Sequence, residues 1–417
     1  MSALVHSSGS NQAAESGDKF PAQVNQQRSP RVFGLDLLRA TAITLVYIAH
    51  GFGVLMPHLP WWAGFLGHFG FYGVEMFFVL SGFLIGAILI RLGERLRDAR
   101  EVLAFYVRRW FRTLPLFLLF VLLNVILFAV VLHHHFTAGE IVSHALFLRN
   151  LTGSHLSFFG ESWSLAVEEW FYLLFPVALW IGLRTRYRFD QVLLAVAALF
   201  FLFSNAARVW TAADPQATWT EFQREGVFLR FDALMLGVFA AWLALRYPGA
   251  WKKFSTICAV AGLLLLALLY ASLWRVRGHS IGVSADDFFA RTFRFTLVSL
   301  GFALLLPFAS GWKITGENVA TRNVHRIALW SYALYLVHTP VVLLVSTYGP
   351  PQPVRSALEA GAIFAAQTAL CLAISALLYR YYESRCTHLR DTVAPAVARR
   401  FAGSGRPKPE HTKAAAT

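Results

Sequence analysis

Charge is scarce in this chain. Only 14% of its 417 residues are Asp, Glu, Lys or Arg, while 57% are hydrophobic and 15% aromatic, with mean hydropathy +0.52. A soluble domain carries about 25% charged residues, so a large water-soluble core is excluded. Cysteine is almost missing. Cys258, Cys371 and Cys386 lack metal-ligand spacing and suggest no disulfide framework, and no metal is implied. The first 30 residues contain no apolar run of the kind a cleavable signal carries. They are rich in Ser, Gln and Asn, and 1–30 is expected to be a disordered tail, as is most of the basic stretch 386–417. The net charge of +14 would suit nucleic acid, but the distribution of the cations argues against such a partner.

What is abundant is apolar runs of about twenty residues. They fall at 35–56, 69–91, 113–132, 162–183, 189–207, 226–246, 256–274, 291–310, 327–347 and 358–380. The pattern predicts an all-α, polytopic integral membrane protein of about ten transmembrane helices, with one membrane domain over 31–385. The connecting loops alternate in charge. One set, which includes both tails and Arg91 to Arg112, holds about 27 of the 37 Lys and Arg residues. The positive-inside rule places that set, and so both termini, in the cytoplasm. The basic balance is then mainly topology, and the bilayer is the first partner. No internal repeat of the kind transporters often carry is visible.

The first span, LDLLRATAITLVYIAHGFGVLM, holds Arg39 near one end and His50 near the other. Ionisable groups in hydrocarbon are expensive and mark functional sites by default. Eleven residues separate the two, which returns them to nearly one helix face about 16 Å apart along the axis. The orientation puts His50 in an outer layer, with Glu75, Glu168 and Glu169 at similar depth and Arg230 and Asp232 slightly shallower. A general-base His needs an orienting group, and Glu75, Glu168 and Glu169 are the candidates. Neighbouring residues on a helix point about 100° apart, so at most one of Glu168 and Glu169 should face His50 squarely. At the inner level, Arg109 and Arg112 share a face and lie near the level of Arg39. Three guanidiniums there suit a phosphate group, although basic residues meeting lipid headgroups give the same pattern. A donor with a phosphorylated head and a long arm, as acyl-coenzyme A has, would reach from those arginines to His50.

Further features carry both a functional and a structural reading. Asp36 is spaced to pair with Arg39. His338 and Tyr335, in SYALYLVHTP, suit pathway lining or ordinary packing, and Pro340 is expected to break that helix locally. Ser81, Gly82 and Gly86 read as close packing. His133 to His135 are a weak metal candidate, and Asn150-Leu-Thr matches a glycosylation sequon.

Six segments together resemble the family 3 membrane acyltransferases, which include bacterial O-antigen and exopolysaccharide O-acetylases. They are GLDLLRATAITLVYIAHG (34–51), FGFYGVEMFFVLSGFLIG (69–86), YVRRWFRTLP (106–115), ESWSLAVEEWFYLLFP (161–176), RFDALMLG (230–237) and SYALYLVHTPVV (331–342). They fall in family order. The resemblance implies Arg39 and His50 as the family's Arg–ten residues–His pair, Arg109 and Arg112 as its Arg-x-x-Arg, and Glu168 and Glu169 as its acidic pair. Trp170 stands where the family pattern usually has Gln. Many relatives add a C-terminal esterase-like domain, which is not expected in the tail that follows Arg385.

The reading is a membrane O-acyltransferase with no permanently bound cofactor. It takes an acyl group, acetyl first, from cytoplasmic acyl-coenzyme A to a hydroxyl of a surface glycan or lipid-linked glycan precursor. His50 is the expected base, with Glu169, Glu168 or Glu75 beside it. Arg39, Arg109 and Arg112 hold the donor, and Arg230, Asp232, His338 and Tyr335 are candidate substrate ligands. The resemblance implies a bacterial cytoplasmic (inner) membrane. Two alternatives stay open: a transporter of an anionic or acylated glycan, and the same transfer to a lipid or secondary metabolite.

Overall fold

The computed structural model describes residues 32–390 and 393, apart from 152–157, 214–223, 278–286, 315, 317 and 351–353. The expected tail at 1–30 and nearly all of 386–417 beyond residue 390 lie outside the described residues. The helices are α1 (Phe33–Gly51), α2 (Phe69–Leu92), α3 (Ala99–Val131), α4 (Ala138–Ala145), α5 (Ser162–Gly182), α6 (Phe189–Ala212), α7 (Phe231–Arg246), α8 (Pro248–Lys253), α9 (Ser255–Arg277), α10 (Phe288–Arg291), α11 (Phe293–Gly311), α12 (Val319–Tyr348) and α13 (Ala357–Leu378). Helix starts are written locally. The Asp98 carboxylate accepts from the Arg100 N–H at 2.9 Å to begin α3, and Asn318 and Thr321 form a reciprocal capping box at α12.

Nine helices among the described residues are long and apolar enough to cross a membrane, and no strand occurs among those residues. The chain is an all-α polytopic membrane protein. The lipid-facing side is explicit on α3, where Leu118, Leu122, Ile126 and Val130 recur every fourth residue and are all exposed. Such a stripe would be unfavourable in water and is at home in hydrocarbon. The span containing α2 has 72% of its apolar window buried and that of α9 only 17%, so α2 is central and α9 peripheral.

The sixth expected run, 226–246, is helical over a shorter stretch. Its helix, α7, has 16 residues, about 24 Å long against a hydrocarbon core of about 30 Å. A 3-10 turn, Val227–Leu229, precedes it, and Arg230 is non-helical at φ −121°. Non-helical backbone at membrane depth must be satisfied by protein. Here side chains do so. Asn150 donates to the Glu225 carbonyl at 2.8 Å, Arg230 to the Arg224 carbonyl at 3.0 Å and Arg208 to the Leu229 carbonyl at 2.9 Å.

α7 packs directly on α2 through glycine. A Cβ at Gly82 would stand 1.9 Å from the Leu234 carbonyl oxygen, and one at Gly237 would stand 2.2 Å from that of Val79. The small-residue pattern thus lets two backbones touch. Helix α1 is flanked by α2, α11, α12 and α13, which sets Arg39 and His50 inside the bundle. Pro340 does not break α12, which runs on to Tyr348. The proline removes one N–H, and the helix continues past it.

Candidate active site

His50 lies in the last turn of α1 and keeps an exposed edge. Its Nδ1 is 2.9 Å from Nε2 of His338 on α12, and the two rings stack with centroids 5.1 Å apart. His338 is fully buried, and its Nδ1 lies 3.2 Å from the Leu334 carbonyl oxygen. The partners assign the protons. A carbonyl only accepts, so His338 Nδ1 carries a hydrogen and donates it. In the neutral ring Nε2 is then an acceptor, and His50 must donate to it from Nδ1. The lone pair left open in this relay is His50 Nε2, which has no partner among the described residues.

The expected carboxylate beside His50 is therefore not Glu75, Glu168 or Glu169; its bonded neighbour is His338. Glu75 turns the other way. It is fully buried between Arg230 and the Ser299 hydroxyl, which donates at 2.5 Å. Asp232 is equally buried. Arg208 grips it at 3.0 and 2.7 Å, and the Thr296 hydroxyl adds a bond at 2.6 Å. Arg230 and Asp232 are thus placed in structural ion pairs, away from any open surface.

Glu168 and Glu169 join the arginines instead. Glu168 accepts from Ser81 at 2.7 Å and from the Tyr172 hydroxyl at 2.7 Å, and Arg109 lies 3.6 Å from it. Arg109 also donates to the Tyr172 oxygen at 2.6 Å and stacks over that ring at 4.0 Å. Ser81 thus makes a polar bond where packing is expected, whereas Gly82 and Gly86 do pack. Glu169 lies beside Thr113 and Arg109, with Oε2 buried and unbonded among the described residues. Arg39 and Arg112 are in electrostatic contact with Arg109 and with each other. Neither has a hydrogen-bond partner among the described residues. Glu383, on a π-helical turn after α13, faces both. The arginine trio is thus real as a cluster, yet four carboxylates, Asp36, Glu168, Glu169 and Glu383, share it. The acidic pair was expected in the histidine layer because depth was counted along helix axes. An arginine side chain reaches several ångströms along an axis, and that reach joins the two levels.

Other expectations resolve simply. Asp36 meets His325 at 2.9 Å and stays in electrostatic contact with Arg39, without a hydrogen bond to it. Tyr335 shares a 2.6 Å hydrogen bond with Ser164 and donates to the Glu161 carbonyl at 3.2 Å. Asn150 is 2% exposed and uses its amide on the Trp163 and Glu225 carbonyls, so Asn150 is a structural clamp. No group of three His, Cys, Asp or Glu side chains among the described residues converges on a metal position. Three charged neighbours escaped the sequence reading: Glu383, and Glu161 and Arg224, both within electrostatic reach of His50. The signal for Glu161 was its place at the head of the ESWSL segment.

A family model described as an acyltransferase domain matches residues 32–380. An O-acetyltransferase, OatA, of Staphylococcus aureus is 25% identical over 359 residues, which is 78% of this chain and 53% of that protein. A peptidoglycan O-acetyltransferase OatA of Listeria monocytogenes is 30% identical over 36% of this chain and 24% of its own length. A putative peptidoglycan O-acetyltransferase, YrhL, of Bacillus subtilis is 35% identical over the same shares. The chain spans about half the length of the S. aureus protein, or less of the others. No solved structure matches.

Proposed function

We propose that this chain, which belongs to the family 3 acyltransferases, moves an acyl group from acyl-coenzyme A to a hydroxyl of a cell-envelope glycan at His50. The similar proteins are bacterial and are named for O-acetyl transfer, two of them to peptidoglycan. Acetyl is therefore the first donor group to test, and a cell-wall glycan the first acceptor.

One observation carries the reading: the open lone pair of His50 Nε2, on the same helix that carries Arg39 into the arginine cluster. Nε2 takes the proton of the acceptor hydroxyl as its oxygen attacks the thioester carbonyl. A C–O bond forms, and collapse of the adduct breaks the C–S bond. The imidazolium then returns its proton to the departing thiolate. The products are an O-acyl ester and free coenzyme A, so protons balance. His338 keeps the ring turned so that Nε2 faces the acceptor, the part an orienting group plays for a catalytic imidazole. Arg39 and Arg112, unbonded by other side chains, are the guanidiniums left to meet the donor's phosphates.

Membranes holding wild-type or His50→Ala protein are incubated with labelled acetyl-coenzyme A and the host's extracted glycans. Label on glycan with wild type alone is the expected result. No label with wild type across a panel of acyl donors would favour glycan transport through the same charged pathway.

A further inference from the structure

Glu161 stands one residue ahead of α5, and its backbone is held firmly. Its carbonyl accepts from the Tyr335 hydroxyl at 3.2 Å, and the Ser164 hydroxyl, which bonds to Tyr335 at 2.6 Å, lies 3.2 Å from the same carbonyl. Tyr335 in turn lies against His338, ring centroids 5.8 Å apart. The carboxylate is held by nothing comparable. No hydrogen bond reaches it from the described residues, and Oε2 is buried in a residue only 9% exposed. Native proteins rarely leave a buried oxygen without a donor, and each such group calls for a reason. Here the reason lies next door, because Glu161 is the carboxylate within electrostatic reach of His50.

The surroundings fix its position. The Asn150 amide donates to the Trp163 carbonyl at 3.1 Å and to the Glu225 carbonyl at 2.8 Å. One side chain therefore ties the segment that carries Glu161 to the segment that carries Arg224. The Arg224 guanidinium lies 5.2 Å from the Trp163 ring and 3.4 Å from Glu225.

We propose that Glu161 binds the acceptor. Its carboxylate accepts hydrogen bonds from hydroxyl groups of a sugar and so sets a neighbouring hydroxyl at His50 Nε2. This rests on the acyl-transfer reading above and names the substrate class of that site. An ionised carboxylate only accepts, so its natural ligands are donors. A sugar carries more than one hydroxyl and can supply one to each side chain. Charge-assisted bonds of this kind are the strong ones. A site built on them rejects analogues that lack the hydroxyl.

The test uses the full chain in detergent with muramidase-released peptidoglycan fragments as probe. Transfer from labelled acetyl-coenzyme A is followed while fragment and donor are varied separately. Glu161→Gln is expected to raise the fragment's KM about tenfold or more, with the donor's KM unchanged. Glu161→Asp should recover part of the loss. Fragment binding without donor should persist in His50→Ala and fail in Glu161→Gln. A wild-type fragment KM in Glu161→Gln would overturn the assignment, as would equal changes in both KM values with no recovery in the Asp variant. Should wild type transfer nothing, the reaction reading fails while the binding arm still judges Glu161. Fragment binding that ignores Glu161→Gln, or that wild type itself lacks, overturns it there too.

Discussion

Glu75, Arg230, Asp232 and Arg208 are wholly out of solvent, and each carries its charge against an opposite one at bonding distance. His50, one helix away, bonds through one ring nitrogen and leaves the other uncommitted. Both groups sit inside a bundle meant for lipid, where a lone polar group is unfavourable. The first removes that penalty by pairing across α2, α6, α7 and α11, and so ties those helices together. The second keeps part of it. A buried ion pair specifies where helices meet, whereas an open nitrogen is useful only to something that arrives.

The contrast breaks most sharply at His50. His50→Ala should leave the fold intact and lower transfer by about 10²–10⁴-fold, the usual weight of a general base. Turnover per folded molecule is the measurement, and retained turnover would remove His50 from the chemistry. Arg230→Met should do the reverse. It strands Glu75 as a buried charge, at about 3–5 kcal/mol, visible as a lower melting temperature in detergent. The double change Glu75→Gln with Arg230→Met should recover most of that stability, since no charge is then stranded. A single variant that melts like wild type would show that the pair does not hold the helices.

His338 sharpens the comparison because it is buried like the first group and serves the second. His338→Phe removes the acceptor for His50 Nδ1, at about 1–3 kcal/mol, roughly tenfold to hundredfold in rate. His338→Gln offers an amide oxygen in its place and should retain more activity. Equal loss in both variants would reduce His338 to packing. The smallest effect is expected at Asn150. Asn150→Ala loses two hydrogen bonds, about 1–2 kcal/mol, and should weaken acceptor use more than donor use. Matched changes in the two KM values would argue against a clamp on the acceptor side.

The helices were legible because a span is a local property. The run at 35–56 and the helix Phe33–Gly51 describe one object. The start of α7 was placed too early for a local reason too: apolar composition continues through Val227–Leu229, while the backbone there turns away from the α conformation. The site was legible only residue by residue. His50, Arg39, Arg109 and Arg112 could be picked out, since charge within an apolar run is conspicuous. Their partners could not. His338 is 288 positions from His50, and no periodicity links them. Counting depth along vertical helices put Glu168 beside His50, and the reach of Arg109 put it elsewhere. Glu161 was overlooked because it precedes its helix, where an acidic residue reads as ordinary surface.

The histidine relay also limits how many protons can be in flight. His338 Nδ1 is tied to a carbonyl and His50 Nδ1 to His338, so in the transfer proposed above a single nitrogen takes the acceptor's proton and gives it to the thiolate. Base and acid are then one atom at two moments, and both substrates must be present together before it can serve either. In mixtures of light and heavy water, the rate of the chemical step should therefore fall in a straight line with deuterium content, the signature of one hydrogen moving at a time.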